Sequence, residues 1–434
     1  MDIQTFRQIP YKLSLTFLAY MPFHVFLVQS LSLATGGLDI WKASKDVALG
    51  LATVFVVCLV YQQRKASRLF GLLVGLALLY GGLHLLLWAL HPDLYRPTAI
   101  LGFVYNTRVL CFAVLGMGAS LLLSNGPYMR AVLRWTLAVS TLVAILGVIQ
   151  YFLPKDFLTH LGYSLERGVR PAFFIDDQPD LPRIMSTLRD PNSLGAYLVL
   201  PITALSVLLL HAKDIYKRQM LGGMLAVHGL ALLLTFSRSA WAGALLAVGL
   251  VLWWQYRESV LAAAKRFWVP GAILLVLLGG TLFAARNAYV VKSFVTHSDG
   301  TPQAQYDSNG FHWYYAKKGI DGIVRNPFGH GPGTAGLVSI QNPNGGLLTE
   351  NYYIQIGYEV GLLGLALFIA VNVLLYLKLR QRHDDIGTVL LASFWAYVLI
   401  NMLLHIWSNE AVAAQWWILA GLAAGVKNGH TKDY

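Results

Sequence analysis

Apolar stretches of about 20 residues follow one another along this chain, each long enough to cross the ~30 Å hydrocarbon core of a bilayer as a helix. One soluble core cannot bury so many of them, and a helix is the element that satisfies its own backbone polar groups in lipid. Composition agrees: of 434 residues 56% are hydrophobic and only 12% charged, against roughly 25% charged in soluble domains. Spans are expected near 13–34, 46–62, 69–90, 98–123, 130–153, 193–210, 219–236, 239–256, 267–285, 352–377, 386–406 and 411–426. The fold class is therefore an all-α polytopic membrane protein of about 12 transmembrane helices with two long outer loops. The first stretch, from about Tyr11 to Ala34, has no evident cleavage site and is expected to stay in the membrane.

The net charge of +12 would suggest nucleic acid in a soluble protein. Here the charges punctuate apolar runs instead of gathering on a polar domain, which argues against a nucleic-acid partner. The two cysteines, Cys58 and Cys111, sit inside apolar runs and read as small hydrophobes. Lys and Arg mark cytoplasmic loops, and alternate connections are basic: QQRKASR at 62–68, HAKDIYKR at 211–218, the stretch with Arg257, Lys265 and Arg266, and KLRQRHDD at 378–385. With these inside, both termini are inside. The chain then divides into helices one to five (1–153), a first long outer loop (154–192), helices six to nine (193–285), a second long outer loop (286–351) and the last three helices with a cytoplasmic tail (352–434).

Three patterns on the outer side carry chemistry. In RDPNSLG, at 189–195, Asp-Pro-Asn is a turn that can cap the next helix, leaving Arg189 at the membrane boundary beside Asn192. In TFSRSAWAG, at 235–243, a tight outer turn puts Arg238 at similar depth. The third ends the second loop: NPFGHGPG at 326–333 with His330, then Glu350-Asn351, then Glu359-Val360-Gly361-Leu362-Leu363-Gly364. Before it, Phe311 to Val324 reads as an amphipathic surface helix. The plainer alternative for both arginines is that they snorkel to headgroup phosphates.

The run from Phe311 to Gly364 resembles the signature region of the O-antigen ligase and O-antigen polymerase superfamily. That family shows a Pro-hydrophobic-Gly-x-Gly turn, a polar pair with Asn, a hydrophobic-Gln step and a Glu-x-Gly-hydrophobic-hydrophobic-Gly ending. RDPNSLG and TFSRSAWAG resemble its two arginine motifs, so the resemblance covers about residues 180–370. It implies a membrane-embedded glycosyltransferase of the GT-C type in the bacterial inner membrane, with its site facing the periplasm. Such enzymes move an oligosaccharide from undecaprenyl diphosphate to an acceptor hydroxyl, in cell-envelope polysaccharide or lipopolysaccharide synthesis. Their partners would be the bilayer, the lipid-linked donor, a glycan or lipid acceptor and a chain-length regulator. Where the ligases usually carry His-Asn, this chain has Glu350-Asn351, which tilts the reading toward polymerase. A ligase acting on lipid A-core is the alternative.

On that reading Arg189 and Arg238 grip the departing diphosphate, since a guanidinium fork binds phosphate oxygens bidentately. Arg170 and Arg183 assist, and Asn192, Asn351 and His330 contact substrate. Glu350 takes the proton from the acceptor hydroxyl. A single displacement would invert the anomeric centre. With no Asp-x-Asp-type cluster on the outer face, no divalent metal and no other cofactor is expected. Glu359 more plainly makes a helix–helix hydrogen bond or pairs with a buried cation such as Arg108. His84, His228 and His405 are expected to bond to neighbouring helices, and Trp253, Trp254, Trp416 and Trp417 to anchor span ends at the interface. The competing class is a transporter, such as a lipid-linked glycan flippase. The long outer loops, the lack of an inverted repeat and the few mid-membrane carboxylates argue against it.

Overall fold

The computed structural model describes residues 3–123, 128–175, 178–284 and 308–426. The expectations for 286–307 and for the tail from 427 lie outside the described residues. The structure is helical almost throughout, an all-α polytopic membrane protein. Among the described residues, eight helices are long and apolar enough to cross a bilayer: Phe6–Thr35, Leu38–Gln62, Arg68–Leu90, Arg96–Leu122, Tyr128–Phe152, Pro191–His211, Arg238–Phe267 and Tyr352–Leu379. The other four expected spans fall on α8 (Ile215–Leu234), which opens with Tyr216, Lys217, Arg218 and Gln219, on the second part of α9 (Arg238–Ala284), and on the 17-residue α13 (Asp385–Asn401) and 16-residue α14 (Glu410–Gly425).

The first span is longer than expected and bent. α1 (Ile3–Tyr20) and α2 (His24–Thr35) meet in a tight 3-10 turn at Met21–Phe23, where Pro22 has no N–H to continue the α-helical ladder. Then come α3 (Leu38–Gln62), α4 (Arg68–Leu90), α5 (Arg96–Leu122) and α6 (Tyr128–Phe152). Between α6 and α7 a small antiparallel hairpin pairs β1 (Phe173–Ile175) with β2 (Gln178–Arg183). After it α7 (Pro191–His211) begins at an Asp190 cap. The inner loop expected at 257–266 is helical, set off within α9 by non-helical backbone at Tyr256 and Phe267. α10 (Ser308–Arg325) is the amphipathic helix of the second loop, followed by a one-turn α11 (Gly336–Ser339) and by α12 (Tyr352–Leu379).

The core of the bundle is the pair α5 and α14. A Cβ on Gly116 would lie 2.3 Å from the Ile418 carbonyl oxygen, and one on Gly421 would lie 2.3 Å from the Ala113 carbonyl oxygen. Small residues thus let the two backbones touch, the usual way helices associate where lipid supplies no hydrophobic drive. α14 is buried on every side, which corrects one expectation. Trp416 and Trp417 are not interfacial anchors: both are fully buried, packed edge-on with ring centroids 5.2 Å apart and against Trp407. Trp253 and Trp254 are exposed.

Candidate active site

The two arginine motifs, far apart in sequence, are joined by Arg183 at the end of β2. Its Nε donates to the Thr235 carbonyl at 2.9 Å and its Nη2 to Asn192 Oδ1 at 2.9 Å. This ties the start of α7 to the turn between α8 and α9. Gly195 makes the approach possible, since a Cβ there would lie 2.7 Å from the Ala240 Cβ. Asp190 caps α7, accepting from the Ser193 N–H at 2.9 Å and the Ser193 hydroxyl at 2.7 Å. Residues 184–187 are bolted down as well. The Met185 and Ser186 N–H groups both donate to Gln150 Oε1, and the Thr187 hydroxyl donates to the Pro22 carbonyl. Ser186 and Phe236 hold left-handed φ of 53° and 49°, strain that persists only where the surroundings over-determine the backbone. Burial lowers the Arg183 pKa; Asp190 opposes this, and the charge of Arg238 adds to it. Arg183 and Arg238 therefore share one electrostatic neighbourhood.

Arg189 is half-buried and, among the described residues, makes no hydrogen bond or ion pair. The charges acting on Lys42 include those of Arg189 and Arg167. Arg167 is committed internally, donating to Gln29 Oε1, the Gln29 carbonyl and the Ser32 hydroxyl at 3.1, 3.1 and 2.6 Å. Arg170 is exposed. Next to this cluster Arg108, 2% exposed, holds Asp46 bidentately at 2.8 and 3.1 Å and reaches Glu410 at 3.4 Å and the Ser408 carbonyl at 3.3 Å.

Arg108 is thus not the partner of Glu359. That carboxylate, with no exposure, accepts from the Gly333 and Ala335 N–H groups at 2.9 and 3.1 Å through Oε1, and from Asn106 Nδ2 at 2.6 Å through Oε2. The Asn106 amide also donates to His84 Nε2 at 3.2 Å. So Glu359 makes the expected helix–helix hydrogen bond, from α5 to α12, and in addition anchors the Gly/Pro loop. Gly333 faces Gly102 so closely that a Cβ on Gly102 would lie 2.2 Å from the Gly333 nitrogen. Gly361, with φ of 73°, kinks α12 and leaves the Leu362 N–H to donate to the Pro327 carbonyl at 2.9 Å. His330 stacks on Tyr358 at 4.0 Å, its backbone N–H on the Tyr358 carbonyl.

At the head of α12 Asn351 is the N-cap, accepting from the Ile354 N–H at 3.0 Å and donating to the Met402 carbonyl at 2.8 Å. The Thr349 hydroxyl bonds the Asn351 carbonyl and His405 Nε2, each at 3.1 Å. Burial, with the charge of His312 as a smaller cause, pushes His405 down to about 3. Between them Glu350 takes a left-handed φ of 47° and projects outward, its Oε2 2.5 Å from His312 Nδ1 on α10.

Of the expected site residues, Arg183, Asn192 and the Arg238 turn come together, with Arg189 one step from the Asp190 cap. Glu350 and Asn351 sit on a second cluster, and among the described residues neither Arg183 nor Arg189 bonds to Glu350. Residues 402–408 lie against both Asn351 and Arg108, since Met402 and Ser408 give carbonyls to them. The sequence reading missed His312 and Asn106. His228 bonds to Ser140 on α6 and His84 to Asn106 on α5, as expected of helix-facing histidines.

Residues 223–369 match the family model described as O-antigen ligase. The matched stretch runs from α8 into α12 and takes in Arg238, His330, Glu350, Asn351 and Glu359, while Arg183, Arg189 and Asn192 precede it. No curated protein matches the chain.

Proposed function

We propose, on the match of residues 223–369 to the O-antigen ligase family model, that the chain transfers an oligosaccharide from undecaprenyl diphosphate to an acceptor hydroxyl, with inversion, on the periplasmic face of the inner membrane. The observation that carries this reading is the bridge made by Arg183 between Asn192 and the Thr235 carbonyl, which ties together the two turns that carry Arg189 and Arg238. Breaking the sugar–phosphate bond leaves a diphosphate with added negative charge. Guanidinium groups fixed in place before the reaction stabilise that charge without reorganising. Arg189 and Arg238 bind the diphosphate in this reading; Arg183 sets their spacing. Glu350 lies on the proton-accepting side. His330, Asn351 and Arg170 line the approach of the glycan. The carboxylate in place of the ligases' usual histidine favours polymerase, with a second lipid-linked glycan as acceptor.

Reconstitution tests it. Purified protein in liposomes with undecaprenyl-diphosphate oligosaccharide should give longer lipid-linked glycans by mass spectrometry, without ATP or an ion gradient. Transfer to added lipid A-core instead would make it a ligase. Translocation of the lipid with no new glycosidic bond would overturn the reading in favour of a flippase.

A further inference from the structure

We propose, resting on the transfer reading above, that His312 is the group that takes the acceptor's proton, with Glu350 as the carboxylate that orients and charges it. The pair is built from two elements that share no local motif, α10 and the turn into α12. Nδ1 of His312 lies 2.5 Å from Glu350 Oε2, a direct contact in which the ring nitrogen carries the hydrogen and the carboxylate receives it. That bond fixes the ring and its tautomer and leaves Nε2 as the lone-pair nitrogen. Among the described residues Nε2 has no partner, and the two side chains are 36% and 28% exposed, so a hydroxyl arriving from the outer side can reach it. Glu350 Oε2, in contrast, is already engaged by the imidazole. The left-handed backbone of Glu350 aims the carboxylate at α10; neighbouring Thr349 and Asn351 are held by His405 and Met402.

Among the described residues, His405, on the connection between α13 and α14, is a second titratable group set against His312. It is buried, with Nε2 bonded to Thr349, and so cannot meet an acceptor. In the transfer step the acceptor oxygen bonds to the anomeric carbon as the bond from that carbon to the diphosphate oxygen breaks, its electron pair leaving with the diphosphate. The acceptor proton passes to His312 Nε2 and from there to water. Glu350 stays ionised throughout and offsets the imidazolium charge, the division of labour of a carboxylate–histidine pair.

The test uses full-length protein with undecaprenyl-diphosphate oligosaccharide in liposomes, comparing wild type, His312→Gln, His312→Ala and Glu350→Gln. General-base catalysis contributes about 10²- to 10⁴-fold, so His312→Gln should lower kcat by about 100-fold or more with little change in KM for the donor. Because carboxylates release protons about two pH units below imidazoles, the acid limb of the rate profile should move to lower pH in that variant. Added imidazole should restore part of the activity of His312→Ala, a readout that survives a loss of stability in either variant. If His312→Gln stays within threefold of wild type while Glu350→Gln is inactive, Glu350 alone is the base and the proposal falls, with the transfer reading intact. A loss that leaves the acid limb in place and shows no imidazole rescue makes the pair a structural clasp and overturns it as well. If wild type extends no glycan, the transfer reading fails first and takes the proposal with it.

Discussion

Among the single residues, the arginines differ in what they have left to give. Arg183 is tied at both ends of its fork, whereas Arg189 has no internal bond among the described residues. Lysine at 189 or 238 keeps the charge but loses the bidentate geometry. Each change should cost about 2–4 kcal/mol of transition-state stabilisation, roughly 30- to 1000-fold in kcat at unchanged thermal stability. Arg183→Lys should act differently, lowering the melting temperature in detergent, because hydrogen bonds from a charged group contribute about 1.5–3 kcal/mol. If arginines are the clamp, turnover should persist in EDTA; loss that Mg²⁺ or Mn²⁺ restores would remove the clamp from the mechanism. Among the described residues no three His, Cys, Asp or Glu gather as metal ligands. Residue types at the outer turns were readable because turn chemistry is local. Their partners were not: nothing local pairs Asn351 with the Met402 carbonyl, and His312 gains meaning only when the chain brings Glu350 back to it.

Helices were legible from hydrophobic length alone, down to the amphipathic run that became α10. That helix turns Gly319 and Gly322 toward α12, where Ile354 and Tyr358 leave no space for a Cβ, and keeps Trp313, Ile320 and Val324 exposed. The hairpin was invisible because β2 holds Pro179 and Pro182 and shows no alternation. The burial of α14 was hidden for a related reason: an Ala- and Trp-rich 16-mer reads equally well as lipid-facing until its partner is known. Its contact with α5 makes a sharp prediction. Gly421→Val drives a branched side chain into the Ala113 carbonyl, which cannot give way as a side chain could. Overpacking of this kind typically costs about 1–3 kcal/mol, and a lowered melting temperature in detergent is the measurement. Gly222→Val on α8, where nothing lies within 4 Å, should leave it unchanged.

For the molecule as a whole, orientation rests on the basic connections, and labelling can decide it. In a background lacking Cys58 and Cys111, cysteines at Asp180 and Ile340 should react with impermeant reagents outside intact spheroplasts, and one at Gln381 should not. The reverse pattern would move the entire site to the cytoplasm. Span number was the coarsest part of the sequence reading: spans were expected on α8, α13 and α14, which are too short or too polar to stand among the eight crossing helices of the described residues. The buried Glu359 has a consequence for how the protein is made. Its three donors, Asn106 and the Gly333 and Ala335 amides, all precede it in the chain. A ribosome therefore delivers the receptors for this carboxylate before the carboxylate itself, and α12 can settle against α5 and the Gly/Pro loop as it emerges. A nascent chain whose first helices failed would carry an unanswered acid into lipid, a costly group there, and so would expose its own defect to the cell's membrane proteases.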